Sequence, residues 1–277
     1  MFFRWLHVFQ PSPIAFQIGS SSIYWYSLFM VLAIFVGMIF VLCLSRFYKI
    51  SKEEIWDLFF YLVIFGLIGA RIFHLLYNWI YFWENPLAIF KFWQGGLSIH
   101  GAIVGGVLVL FFYSYRRKLY FWTLADLFSP ALALGLVIGR WGNYFNQELY
   151  GLPTNLAWGI SIDPINRVSN YTDFEYFHPV FLYESIWCFL IFLFLIFLHK
   201  KRLQIKDNEK KEGFFLIRVG NIFLFCLILY SFGRFFFEFL RIDPQPVIFG
   251  FRLGQILSLL IIAGVVKIWC FNSRSIL

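Results

Sequence analysis

Ionisable side chains stand inside runs of Phe, Leu and Ile, where they need a reason. In the run 215–239, Tyr230, Arg234 and Glu238 are spaced i, i+4, i+8 and share one helix face, and Arg241 continues the stripe. Phe232, Phe235, Phe236 and Phe239 cover the rest of that surface. A second cluster is GRWGNYFNQELYG at 139–151. There Arg140 and Asn143 lie one turn apart, and Asn146, Gln147 and Glu148 extend the polar surface. A charge in a bilayer interior costs about 2.5–3.5 kcal/mol, and an amide in lipid requires hydrogen bonds. Guanidinium presents a planar donor fork, so arginine beside amides suits a phosphate or carboxylate ligand. His100, in GGLSIHG at 95–101, is a candidate proton acceptor beside such arginines. Arg71, Tyr26, His178 and the pair Tyr183-Glu184 complete the set. The plainer alternatives are a structural Arg–Glu pair pinning helices and a satisfied core histidine. The first leaves unexplained why a tyrosine and a second arginine share the Arg234 face.

The elements that position these residues are membrane spans. Of the 277 residues, 61% are hydrophobic and only 14% charged, and Phe alone supplies 39, which excludes a soluble globular enzyme and a disordered chain. Seven apolar runs of about 20 residues are expected, at roughly 23–44, 56–79, 97–115, 121–143, 180–199, 215–239 and 250–271. The fourth carries Asp126, Ser129, Pro130 and Arg140 and is expected among the others, with Gly135 and Gly139 as a small-residue pair for close helix approach. The first span is expected to be an uncleaved anchor, because no small-residue cleavage site follows an apolar run. The net charge of +8 comes from short basic loops such as Arg116-Arg117-Lys118 and Lys200-Lys201-Arg202, so no nucleic-acid partner is expected. With the N-terminus outside, fourteen Lys and Arg fall in inside loops and tail against five outside. The expected fold is therefore all-α and polytopic, a bundle of about seven helices, N-terminus out and C-terminus in. Residues 1–277 form one membrane-embedded domain, with 144–179 as a small extracytoplasmic head and 200–213 as a charged cytoplasmic loop. The four cysteines show no metal or disulfide spacing.

This topology gathers Tyr26, Arg71, His100, Arg140, His178, Glu184, Arg234 and Glu238 towards the outer half of the bundle. The expected site is a net cationic cavity whose natural ligand is an anionic phospholipid headgroup. Such a site can bind, flip or transfer. No zinc motif, P-loop, Rossmann fingerprint or GxSxG elbow points to a reaction.

The motifs resemble those of bacterial prolipoprotein diacylglyceryl transferases. GRWGNYFNQELYG closely resembles that family's signature, and Tyr24-Trp25-Tyr26, Gly69-Ala70-Arg71, GGLSIHG, HPVFLYE at 178–184 and the Tyr230/Arg234/Glu238/Arg241 stripe agree in order. Ser27 departs from a frequent glycine, and Val180 and Phe181 from the small and amide residues usual after His-Pro. The resemblance implies a seven-helix membrane body with a periplasmic head in the bacterial inner membrane. It implies transfer of the diacylglyceryl group of phosphatidylglycerol to the lipobox cysteine of a preprolipoprotein, giving a thioether and glycerol phosphate. The implied catalytic residues are Arg140 and Arg234, which hold the leaving phosphate, and His100 as the candidate base for the thiol, with the field of the arginines alone as the alternative. Implied substrate contacts are Tyr26, Arg71, Asn143, Asn146, Glu148, Gly151, Tyr230, Glu238 and Arg241. No metal or cofactor is expected, the partners are membrane lipid and the signal peptide, and a monomer is expected. The alternative is a phospholipid transporter or flippase, disfavoured because the polar residues concentrate in one half of the bilayer depth.

Overall fold

The structure, a computed structural model, describes residues 6–91, 95–204 and 218–274. Seven apolar helices carry it: α1 (Trp25–Ser45), α2 (Lys52–Tyr77), α3 (Ile99–Arg117), α4 (Phe121–Phe145), α5 (Val180–Gln204), α6 (Asn221–Phe237) and α7 (Leu253–Arg274). Six are long and apolar enough to cross a membrane. The exception is α6, at 17 residues, because its polar C-terminal end leaves the helix after Phe237 and turns into a loop. The protein is an all-α polytopic membrane protein, with three short antiparallel strand pairs, β1 (Ile14–Ile18) with β2 (Ser21–Tyr24), β3 (Ile160–Ser161) with β4 (Tyr176–Phe177), and β5 (Val247–Ile248) with β6 (Phe251–Arg252). Residues 200–204 of the expected charged loop continue α5, and 205–213 lie outside the described residues.

Local chemistry sets the helix ends. Ser51 and Glu54 form a reciprocal capping box that opens α2. Arg116 and Arg117 occupy the last turn of α3, where cations complement exposed carbonyls, and Lys118 closes it in the left-handed region.

The chain divides into two compact units, one of residues 1–37 and 129–277, the other of residues 38–128, so that the division falls within α1 and α4. In the second unit α2 and α3 meet backbone to backbone. A Cβ added at Gly69 would strike the Gly101 carbonyl, one at Gly101 the Gly69 carbonyl, and one at Gly105 the Phe65 carbonyl. Only glycine permits that approach. The pair expected to do the same in α4 does not: among the described residues, nothing beyond the neighbouring backbone of α4 itself lies within 4 Å of a Cβ placed at Gly135 or Gly139. Small residues make close approach possible, but a partner must be there to use it.

The first unit has two apolar clusters. Leu6, Tyr144, Tyr150, Ile160, Ile162, Phe177, Phe181 and Leu182 form the core of the segment 144–179. Ala133, Ile191, Leu195, Leu198, Ile222 and Cys226 bind α4, α5 and α6 together. Most large apolar side chains on the remaining helix surfaces are exposed, as lipid-facing residues must be.

A buried arginine–carboxylate centre

Helix α5 begins just after His178-Pro179, which turns Glu184 inward one turn from its start. The Glu184 side chain is only 5% exposed and carries an arginine on each oxygen. Arg140 Nε of α4 lies 2.7 Å from Oε2, and Arg234 Nη1 of α6 lies 2.8 Å from Oε1. Arg234 also reaches Glu238, fully buried, at 2.9 Å. Arg252, where β6 meets α7, approaches the other Glu238 oxygen at 3.1 Å and Asp243 at 3.6 Å. Asp243 binds Arg241 at 2.7 Å, and Arg241 returns to Glu184 at 3.9 Å. The charges thus close into a ring: Glu184, Arg234, Glu238, Arg252, Asp243, Arg241, with Arg140 attached at Glu184.

Four guanidinium groups face three carboxylates, so the centre is nearly balanced rather than strongly cationic. Several contacts are charge contacts without aligned hydrogen bonds, namely Arg140 Nε and both Glu238 oxygens. In a low-dielectric interior such groups are held only while their countercharges stay in place.

The expected residues of the first unit gather around this ring. Tyr230, one turn before Arg234 on α6, lies against Arg140, and Tyr26 is within electrostatic range of Arg140 and Glu148. Asn143 donates to Glu148 Oε1 at 2.8 Å and Asn146 at 3.3 Å. The turn that brings Glu148 back over α4 places Gln147 (φ 52°) and Leu149 (φ 57°) in the left-handed region, unusual for residues with a Cβ. Gln147 is locked there, donating to Pro11 O and to Asp163, and accepting from Asp163 N. Gly151 sits where three segments cross. It donates to His178 O at 2.9 Å and bridges Arg241, while Leu152 N donates to Leu240 O. A Cβ at Gly151 would come within 2.8 Å of Val180 Cγ2, 2.9 Å of His178 Cβ and 3.0 Å of Leu240 O.

Arg71 and His100 belong to the second unit. Arg71 is buried and donates to the carbonyls of Ala88, Ile89, Gly95 and Gly96, with its guanidinium over the Phe82 ring. It thereby shapes the loop that leads into GGLSIHG. His100 is exposed in the first turn of α3, its ring 5.8 Å from that of Phe73.

Sequence reasoning missed two members of the ring, Asp243 and Arg252. Both sit in the loop and hairpin between apolar helices, where a charge needs no explanation. One signal was available: Arg252 is among the few basic residues on the side that is otherwise poor in them. Burial alone would raise the Asp243 carboxyl, but hydrogen bonds and charge from Arg241, with Gln245 and Arg252, hold it below its ordinary value.

A multi-pass helical membrane protein with a buried arginine–carboxylate centre is the class that fold and site define. Residues 13–271 match the family described as prolipoprotein diacylglyceryl transferase, and the chain belongs to that family. It is 39% identical over 249 residues to a protein of Trichormus variabilis, covering 90% of this chain and 85% of the relative. It is 36% identical over 272 residues to one of Parasynechococcus marenigrum, covering 95% of each. It is 39% identical over 248 residues to one of Fervidobacterium nodosum, covering 89% of this chain and 80% of the relative. All three relatives carry the name phosphatidylglycerol–prolipoprotein diacylglyceryl transferase.

Proposed function

We propose that this protein transfers the diacylglyceryl group of phosphatidylglycerol to the lipobox cysteine thiol of a prolipoprotein, forming a thioether and releasing glycerol phosphate. The observation that carries the reading is the arginine ring, set in a membrane protein of this family. Four guanidinium groups meet three carboxylates in the ring, with Glu148 on the rim beside Arg140, so what the site offers a phosphodiester is donor forks held in fixed positions.

The chemistry follows from the geometry. The thiolate sulfur attacks the glycerol carbon of the lipid, and the C–O bond breaks with its electron pair on the phosphate oxygen. Charge on the leaving phosphate grows only as that bond breaks. Arg140 and Arg234 come from two helices onto the two oxygens of Glu184, so their positions are set before substrate arrives. Pre-set donors of this kind act chiefly on the transition state. Asn143, Asn146 and Glu148 form a polar rim above them, and Tyr26 and Tyr230 flank Arg140. His100 and Arg71 are assigned to the same reaction, His100 as a proton acceptor and Arg71 through the loop that it shapes. The site faces the outer leaflet of the bacterial inner membrane, with the N-terminus and segment 144–179 outside and the C-terminus inside. Lysine and arginine asymmetry supports that orientation.

Purified protein incubated with labelled phosphatidylglycerol and a lipobox peptide is expected to yield labelled thioether and glycerol phosphate in equal amounts. Lipid bound or moved between leaflets with no thioether formed would defeat the reading.

A further inference from the structure

We propose that Gly254, at the start of α7, is a positioning residue for Arg234. Its bare backbone is the seat on which the Glu238 carboxylate rests, and Glu238 in turn aims the Arg234 fork. The proposal rests on the transferase reading above and adds to it a residue with no polar side chain.

The contact is direct. A Cβ built at Gly254 would lie 2.9 Å from Glu238 Oε2, 3.1 Å from Glu238 Cδ and 3.6 Å from Arg234 Nη2. Oε2 is the oxygen that Arg234 Nη2 meets at 2.9 Å. The carboxylate therefore fills the space that any side chain larger than hydrogen would claim. Glu238 depends on that space. It caps the C-terminal end of α6, is fully buried, and has no aligned hydrogen bond on either oxygen. Arg234 draws one oxygen and Arg252 the other, at 3.1 Å. Charge attraction without aligned hydrogen bonds fixes direction poorly, so the wall decides where the carboxylate stops.

The wall is firm. Leu253 N donates to Pro246 O at 3.0 Å, Arg252 N to Gln255 Oε1 at 3.0 Å, and Ser258 Oγ to Gly254 O at 2.7 Å. The backbone is thus tied on both sides of Gly254, and an added methyl group displaces Glu238 instead of the chain. Backbone conformation gives no other reason for glycine here, since Gly254 is not among the glycines with positive φ. Helix formation gives none either, because alanine favours a helix more than glycine does. Gly264 supplies the contrast within the same helix: among the described residues, nothing beyond its neighbouring backbone lies within 4 Å of a Cβ placed there.

The seat acts on the reaction through Arg234. That guanidinium spans Glu184, through Nη1, and Glu238, through Nη2. A shift of Glu238 turns the fork about its Glu184 contact and moves it away from the leaving phosphate.

The test is a double-mutant cycle between Gly254→Ala and Glu238→Asp, with Gly264→Ala as the control. Turnover is read per correctly inserted molecule, as kcat and as KM for phosphatidylglycerol with a lipobox peptide. In Gly254→Ala kcat is expected to fall by about 10–10²-fold, the usual result of a misplaced donor. KM is expected to change less than about threefold, because Arg234 acts on charge that appears only in the transition state. Gly264→Ala is expected to keep full turnover. Glu238→Asp draws the carboxylate back by one methylene, which lowers turnover by itself and vacates the space of the Cβ. The double variant is therefore expected to turn over as fast as Glu238→Asp alone. Losses that multiply in the double variant mean that Gly254→Ala acts elsewhere and overturn the proposal. A rise in KM alone, or a Gly254→Ala kcat within about twofold of wild type, overturns it too. Where Gly254→Ala alone does not insert, the double variant decides: turnover equal to that of Glu238→Asp upholds the seat, and failure to insert overturns it. Wild-type protein that forms no thioether overturns the transferase reading instead.

Discussion

Glu184 holds two guanidinium groups from different helices on the two oxygens of one buried carboxylate. Removing its charge strands Arg140 and Arg234 in a low-dielectric interior. Glu184→Gln is therefore expected to lose about 3–5 kcal/mol of stability, the usual result of breaking a buried pair from one side. Thermal unfolding in detergent measures it, and an unchanged midpoint would mean that the arginines find other partners. The arginines themselves make a sharper case. Arg140→Lys keeps the charge but loses the fork, and turnover is expected to fall by about 10²–10³. Arg234→Ala is expected to lower kcat more than it raises KM, because the leaving phosphate gains charge only in the transition state. Turnover per correctly inserted molecule is the measurement. Normal insertion with near-normal turnover in both variants would reduce the ring to a helix-pinning device. Arg140, Arg234 and Glu238 are legible in sequence because an ionisable group in an apolar run is conspicuous. Asp243 and Arg252 are not, because charge in a loop is ordinary and only folding reveals that it is buried.

Among the elements, close approaches carry the load where backbones cross. Gly101→Ala puts a methyl group into the Gly69 carbonyl between α2 and α3. Overpacking of this kind is expected to cost about 1–3 kcal/mol, read as a lower unfolding midpoint. Gly151→Ala strikes Val180, His178 and the Leu240 carbonyl at once, where the chain segments behind Arg241 and His178 are joined. Loss of turnover in protein that still inserts is the expected result, and normal turnover would show that the crossing tolerates displacement. The loop between α6 and α7 adds a pH dependence. The folded state lowers the Asp243 carboxyl, so its stabilising contribution is complete above the ordinary carboxylate value and is lost as pH falls through the depressed one. Acid unfolding is expected to be shallower in Asp243→Asn than in the wild type below about pH 4, and identical slopes would remove Asp243 from the account. The apolar helices are legible because about 20 apolar residues admit few other fates. The three strand pairs are not, since each is two to five residues long and has no periodic pattern to detect. The Gly135/Gly139 expectation failed for a related reason: a small-residue spacing describes one surface and says nothing of the opposite one.

For the molecule as a whole, the prediction with the widest reach concerns orientation. With the exposed Cys43 and Cys270 first replaced by serine, single cysteines at Asn170 and Lys118 separate the two sides. An impermeant thiol reagent is expected to label Asn170→Cys and not Lys118→Cys in cells lacking the outer barrier. The reverse pattern would place segment 144–179 inside and remove the outer-leaflet site with it. The expected orientation comes from the loops alone, through the unequal share of lysine and arginine between alternate loops. How the charges close on one another is not legible there, because the ring draws on positions 140, 184, 234–243 and 252, far apart along the chain. That dispersal bears on how the protein is made. Arg252 stands at the start of the last helix, so it leaves the ribosome after every other member of the ring. Until it arrives, Glu238 lacks one of its two arginines and Asp243 the second of its pair. A nascent chain halted before residue 252 is expected to sit in the membrane with six of its helices and no activity. The centre is then complete only once the final span has been made.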